Sequence, residues 1–243
     1  MFKSLKNHPF AVEAFFENST VLTFAVPKEE LEHLIPDFLN LDSYNGYAFI
    51  AIALVKTTQL RPKGFPKFMG NNFTLVGFRI FVTYKNKKGK RLRGLYILKS
   101  ETNKKKMAFF GNIFTHYKYT TTDFSFNKHN NHSEIISKNS KISINFSNKE
   151  ESEIPINSPF KDWKTARRYA GPLPFTFTTT SKNKEVLIIQ GVRQNWKPEP
   201  ITINNYDINF LKQFNFSECV LASAFQITNI PYYWKKGEIE LWN

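Results

Sequence analysis

The sequence predicts a mainly β protein in which curved antiparallel sheets carry a few short helices at their margins. Strand-length runs rich in β-branched and aromatic residues recur from Val21 to the C-terminus. They follow one another without regular strand–helix–strand alternation, which argues against a parallel α/β sheet. The 243 residues include 25 Phe, 10 Tyr and 4 Trp, so the core is largely aromatic, and large flat side chains suit packed sheets. All-β domains of roughly 200–250 residues are common as single units. Residues 1–243 are therefore expected to form one domain.

Val21 to Ala25 is an apolar, β-branched run and reads as a strand. Val26-Pro27 opens a helix, because proline suits a first helical turn where its missing N–H costs nothing. Leu31, Leu34 and Ile35 recur at helical spacing, and Pro36 stops the element. Tyr47 to Val55 reads as a second, largely buried strand. Phe73 to Tyr84 and Leu92 to Leu98 are strands flanking a basic segment, Lys85-Asn86-Lys87-Lys88-Gly89-Lys90-Arg91, which reads as a solvated hairpin tip. Ser100 is expected to cap a short helix carrying Glu101 to Phe110, with Gly111 as its stop. Tyr117 to Phe126 returns to strand character. Within the polar stretch Asn127 to Pro155, Glu134 to Ser137 and Lys141 to Phe146 form a meander. Ser158-Pro159 resembles an N-cap and first turn of a helix running through Trp163 to Arg168, which Gly171-Pro172-Leu173-Pro174 breaks. Strands follow at Phe175 to Thr180, Val186 to Asn195 and Pro200 to Ile203. Ile208 to Phe214 is a short helix or turn, and Val220 to Ile230 and Gly237 to Trp242 close the chain.

Composition removes several function classes. No run of about 18 apolar residues is present, so no membrane-spanning helix is indicated. The opening MFKSLKNHPFAVEAFF breaks any leader-like apolar centre with His8, Pro9 and Glu13. A cytoplasmic location is the expectation. Cys219 is the single cysteine, which rules out an intrachain disulfide and a multi-cysteine zinc site. The net charge of +14 can attract nucleic acid, anionic lipid or acidic metabolites. The lysines are dispersed, and no zinc finger, RNA-binding aromatic signature or basic zipper accompanies them, so nucleic acid is the less favoured partner.

The order strand, short helix, strand over Val21 to Val55 resembles the acetoacetate-decarboxylase-like superfamily, and within it an uncharacterised bacterial branch, the YqjF-like proteins. Phe73 to Val82, with Arg79 inside it, is similar to that branch's arginine-containing strand. Gly94 to Leu98 is similar to the strand that follows, and Ala166-Arg167-Arg168-Tyr169 to the end of a later helix. Gly171 to Phe175 looks like a turn used in part of the branch. The resemblance implies a cone- or barrel-like antiparallel fold around a ligand cavity. In acetoacetate decarboxylases a lysine condenses with the carbonyl of a β-keto acid, and the iminium takes up electrons as carbon dioxide leaves. Such a lysine must be neutral, through desolvation or a cationic neighbour.

The decarboxylase signature is a Gly-Phe-Pro-Lys-Lys-like segment. Gly64-Phe65-Pro66-Lys67 matches part of it but precedes the Arg79 strand, and Phe68 replaces the second lysine. A proline-rich turn accounts for these residues. The segment in the corresponding place is Gly111 to Tyr119, without the proline or the lysine pair. Lys118 is the tentative catalytic residue there. If it faces the cavity, Thr120 does too, and Tyr117 and Tyr119 face away. Lys104-Lys105-Lys106 reads as a solvated helix face. The glutamate that the decarboxylases carry near the Arg79 strand is absent, Thr74 and Leu75 standing there instead.

Arg79, inside an apolar strand with no acid beside it, needs either an acid from elsewhere or a ligand carboxylate in its guanidinium fork. Arg193, between Val192 and Gln194, poses the same question, and His116 is a candidate acid or base. Arg167 and Arg168 suit the negative end of a helix. His129 and His132 have no acid or cysteine set to complete a metal site. Cys219 reads as a strand or core residue. No nucleophile elbow, phosphate loop or dinucleotide fingerprint is present.

The leading expectation is a protein that binds a small organic acid or carbonyl compound through Arg79, His116, Lys118 and Arg193, without a metal or cofactor and without the decarboxylase lysine pair. The alternatives are a Schiff-base lyase acting on a keto acid through Lys118, and a basic surface protein binding nucleic acid or anionic lipid. Whether the protein is an enzyme is left open.

Overall fold

The computed structural model describes residues 2–147, 154–170, 173–179 and 184–242. The elements of the first half are β1 (Val12–Pro27), α1 (Lys28–Glu32), β2 (Asn40–Leu41), β3 (Tyr47–Pro62), β4 (Asn71–Lys85), β5 (Arg91–Thr102), α2 (Lys105–Phe114) and β6 (Tyr119–Thr121). They are followed by β7 (Ser125–His129), β8 (His132–Ser137), β9 (Ile142–Ser147), α3 (Trp163–Ala170), β10 (Phe175–Thr179) and β11 (Glu185–Arg193). The chain continues through β12 (Glu199–Pro200), β13 (Thr202–Ile208), α4 (Asn209–Lys212), β14 (Val220–Trp234) and β15 (Glu238–Leu241). The protein is mostly β, as its sequence predicts.

Seven strands close into a ring in the order β14, β1, β3, β4, β5, β10, β11, because β11 pairs again with β14 at Gly191 to Arg193. The ring is mainly antiparallel, with β10 parallel to β5. Closure leaves the long strands without free edges and gives the sheet two separate faces.

The strand β3 shows how the sequence serves both faces. Ala48, Ile50, Ile52 and Leu54 enter one hydrophobic cluster, while Phe49, Ala51, Ala53 and Val55 enter another. Alternation along one strand sends the two sets to opposite sides. The run is continuously apolar because both sides are covered. The first cluster lies on the outer face, where the four-stranded sheet β13-β9-β8-β7 adds Ile135, Ile144, Phe146 and Ile208. The second fills part of the ring interior, where Phe160, Ala166 and the flanking Trp163 and Tyr169 pack in from the α3 region. Phe49, Phe160 and Tyr169 meet there with ring centroids 5.1–5.3 Å apart. The remainder of the interior is a cavity.

The same alternation runs along β4. Val76, Phe78, Ile80 and Val82 join the outer cluster, and Leu75, Arg79 and Phe81 face the cavity. The basic hairpin tip is solvated, with Asn86 Oδ1 accepting the amides of Lys88 and Lys90. Gly64-Phe65-Pro66-Lys67 is an exposed turn, with Gly64 in the left-handed region at φ 86°.

Several boundaries differ from the sequence reading. The strand expected at Val21 begins at Val12, because cross-strand ion pairs Glu13–Arg61 and Glu17–Lys56 support its polar first half. Ser100 does not cap a helix: β5 continues to Thr102, since Ser100 to Thr102 are paired with β4 on one side and β6 on the other. Two-sided pairing outweighs a capping preference. The helix begins after Asn103, whose side chain accepts the Thr74 amide.

Gly111 lies inside α2 rather than ending it, because a Cβ there would sit 2.4 Å from the Tyr119 ring. The β5–α2–β6 connection is a helix-bridged parallel pair, a second departure, beside β5–β10, from the antiparallel pattern.

The strand expected over Tyr117 to Phe126 is interrupted. The Asp123 carboxylate turns the chain by accepting the amides of Lys138 and Asn139 and the hydroxyl of Ser137. These bonds, the Asn139 amide foremost, hold its pKa at about 2. The cap of α3 is Asp162, which accepts the Thr165 amide at 2.6 Å, whereas Ser158 bonds Ala222. The Gly171-Pro172 break lies outside the described residues.

Candidate functional site

The cavity has a volume of about 460 Å³ and is lined by residues from β1, β3, β4, β5, α2, β6, β10, β11 and β14 and the segments beside them. Its walls are mainly aromatic and aliphatic. Among the described residues no Asp or Glu lines it, while Arg61, Arg79, Lys106 and Arg193 do. Arg61 is neutralised by Glu13 at 3.0 Å. The other three basic residues make no ion pair among the described residues.

Arg79 is surrounded by protein, and the surface it keeps faces the cavity. Its Nε is buried and has no hydrogen-bond partner among the described residues. The guanidinium folds back over Gly77, where an added Cβ would lie 2.7 Å from Nε and 3.0 Å from Nη2. A side chain at 77 would displace the fork. Burial pushes the Arg79 pKa down, and the neighbouring Arg193 acts the same way, against the pull of Tyr232, Tyr119 and Tyr117. An arginine stays charged in proteins, so the cation is held at an energetic cost.

Arg193 arrives from the end of β11. Its guanidinium lies 4.1 Å from the Trp196 ring centroid and 5.3 Å from that of Tyr232. Its Nη1 donates to the Tyr232 hydroxyl at 3.4 Å, while Nη2 is buried without a partner. The Trp196 indole N–H is also buried and unpartnered. Tyr232 is braced by Phe16 and Trp234, with centroids 4.6 and 4.3 Å away. The two arginines thus meet from opposite parts of the ring.

Tyr117 and Tyr119 complete this wall. The Tyr117 hydroxyl shares a hydrogen bond with the Thr176 hydroxyl at 2.9 Å. Burial pushes Tyr117 up to about 12 and Tyr119 higher still, so both phenols are neutral donors at pH 7. The Asn112 side chain clamps Tyr119, accepting its amide and donating to its carbonyl, each at 2.8 Å. Between the tyrosines Lys118 takes a left-handed φ of 53°.

The sequence-derived site therefore divides. Arg79 and Arg193 line the cavity. Lys118 is exposed and, with His116, lines a separate depression beside Lys6, Tyr96 and Thr178. Lys118 is turned away from Tyr117 and Tyr119, but its left-handed backbone just before β6 makes that turn, and the tyrosines are the ones on the cavity lining. Lys118, the tentative catalytic residue, therefore lies outside the cavity lining. His116 lies 3.2 Å from Asn7 Oδ1, and burial, aided by Lys6, lowers its pKa.

The lysine on the cavity lining is Lys106, exposed at the mouth. Sequence reasoning missed His8, Tyr117, Tyr119, Trp196 and Tyr232. His8 is buried on the lining with Nδ1 unpartnered, and burial lowers its pKa to about 4. Its left-handed φ of 53° was the one local peculiarity, and it leaves no trace in residue type. Cys219 is half-buried off the lining, and burial pushes its thiol up to about 11. Among the described residues no cluster of three or more His, Cys, Asp or Glu is arranged to hold a metal. None of the described helices is long and apolar enough to cross a membrane.

A closed strand ring around a cavity of this kind is the acetoacetate-decarboxylase-like fold. The acetoacetate decarboxylase of Legionella pneumophila superposes with a TM-score of 0.67 over 96% of this chain and 88% of its own, at 9% identity. The enduracididine biosynthesis enzyme MppR, solved in complex with pyruvate, superposes with a TM-score of 0.57 over 95% of this chain and 90% of its own, at 6% identity. These likenesses define the fold. The family is given by sequence: residues 14–226 match the model of DUF2071, an uncharacterised conserved protein family, and the chain belongs to it. The uncharacterised protein YqjF of Bacillus subtilis is 28% identical over 160 residues, which are 63% of this chain and 61% of that relative.

Proposed function

We propose that this protein binds a small organic acid in the ring cavity, with its carboxylate on Arg79 and Arg193 and its apolar body against the aromatic wall. One observation carries the reading. Among the described residues three N–H donors of the lining, Arg79 Nε, Arg193 Nη2 and Trp196 Nε1, are buried without an acceptor, and no acid lines the cavity. Buried donors and cations normally find partners. A carboxylate supplies both the charge and the acceptors, and a guanidinium fork suits its geometry. The volume of about 460 Å³ lies in the range of roughly 300–1,000 Å³ that accommodates ligands larger than pyruvate. The pyruvate complex of MppR, on the same fold, is consistent with a carboxylate ligand.

The Schiff-base reading through Lys118 finds no support in this geometry, since that lysine lies off the cavity lining. Lys106, at the mouth, is exposed rather than desolvated. The supported role is binding.

The test is calorimetric titration with pyruvate, phenylpyruvate and octanoate, each beside its neutral amide. At least one acid is expected to bind, its amide much more weakly, and Arg79→Met is expected to abolish the difference. Equal binding of acid and amide, or no binding across the panel, overturns the proposal.

A further inference from the structure

The mouth of the cavity is marked by the exposed members of its lining, Phe10, Lys106 and Phe110. Around it the protein leaves an unusual set of large apolar side chains in solvent. Phe68 is 88% exposed and Phe109 64%, with Phe65 and Met69 also uncovered. Contacts tie the Phe65 turn and the Phe109 group to the mouth. Arg61 Nε donates to the Phe65 carbonyl, and the Lys63 amide donates to the carbonyl of Ala11, next to Phe10. Phe10, Phe114, Phe110 and Phe109 form a chain of ring contacts 5.1–6.3 Å apart. Scattered exposed apolar residues need no explanation, but a contiguous group does.

The same rim is basic. Lys63, Lys67, Lys104, Lys105 and Lys106 are all exposed. No acid occurs from Pro62 to Leu75 or from Asn103 to Lys118. Lys104, Lys105 and Lys106 stand at the N-terminal end of α2, where the helix dipole is positive and a cation is unfavourable. Fold stability does not account for three lysines at that position. A self-complementary contact between two copies would bring these like charges together, which argues against a second copy as the occupant. Aromatic side chains ringed by lysines match the headgroup layer of an anionic bilayer, where rings sit among the headgroups and lysines meet lipid charge.

We infer that this rim is a docking surface for an anionic membrane, holding the cavity mouth against the headgroup layer. The inference rests on the rim and not on the cavity ligand. It gives the ligand a route to a cavity whose mouth would face the layer where amphipathic acids concentrate.

The test is co-flotation of the full chain with vesicles of equal parts phosphatidylglycerol and phosphatidylcholine, against vesicles of phosphatidylcholine alone. Binding is expected to the anionic vesicles only, and to weaken with added salt. The charge-reversed variant Lys67→Glu/Lys104→Glu/Lys105→Glu is expected to lose about tenfold or more in vesicle affinity. Phe68→Ser/Phe109→Ser is expected to lose a comparable amount. Neither variant alters the cavity lining, so titration with the organic acids is expected to be unchanged in both. Arg79→Met is expected to behave oppositely, keeping vesicle binding and losing the acid. Equal flotation with both vesicle types, flotation of neither, or flotation unaffected by the rim variants overturns the inference. So does sedimentation showing a dimer that Phe68→Ser dissolves.

Discussion

Replacing Arg79 by methionine is expected to make the unliganded protein more stable, not less. The guanidinium is enclosed in an apolar interior, and among the described residues its Nε has no partner and no acid lines the cavity around it. Arg193 adds a like charge nearby. Replacing a buried ion pair by apolar side chains of similar volume is often neutral or stabilises by about 1–4 kcal/mol, and a buried charge without a partner has more to gain than a pair. Because the cavity gives the fork some solvent, about 2 kcal/mol is the reasonable figure here. For a chain of this length each kcal/mol moves the melting temperature by about 2–4 °C, so Arg79→Met should melt about 4–8 °C higher. The assay is differential scanning calorimetry without ligand, paired with titration of the acid identified in the panel. The two results must come together: a higher melting temperature and lost binding. A fall of several degrees in the unliganded variant would mean that Arg79 has a structural partner in the folded protein, and the reading of the cavity as an anion site would fail with it.

Three other outcomes are expected. His8 has a folded pKa of about 4 against a usual 6.5, so the unfolded chain takes up its proton at higher pH than the native one. Its contribution is complete above pH 6.5 and is lost progressively as pH falls from there to about 4, to a total of about 3 kcal/mol. Urea melts of the wild type and His8→Asn, a residue that tolerates the left-handed φ, should show this dependence flattened in the variant. Parallel curves would remove His8 from the account. Gly77→Ala should push the Arg79 fork out of place and weaken acid binding by about tenfold, with the melting temperature nearly unchanged. Unaltered affinity would show that the fork does not need that space. Finally, purified protein should not release carbon dioxide from acetoacetate at an enzymatic rate, and borohydride should trap no adduct on Lys118. Turnover lost in Lys118→Ala, with an adduct on that lysine, would restore the lyase reading.

The amino-acid sequence by itself determined the class of fold. Two hydrophobic sets interleave along Ala48 to Val55, and such a run is stable only in a strand covered on both faces. It also determined the solvated hairpin tip, where Asn, Gly and a block of lysines leave little else possible. It singled out Arg79, because a lone charge in an apolar strand must be explained. The partner of that charge could not be read from the sequence.

What only the tertiary structure decided is which side chains share the cavity. Tyr117, Lys118 and Tyr119 are neighbours in the chain, but the left-handed turn at Lys118, ring closure and the Asn112 clamp choose which of them look inward. Arg193, Trp196 and Tyr232 meet because β11 pairs with β14 across the closing seam, a contact between distant segments with no local signature. The space that Gly77 leaves for the Arg79 fork likewise exists only once the strand curves into the ring. Local propensity is set by neighbours in the chain, whereas a cavity is lined by residues that the closing of a sheet brings together.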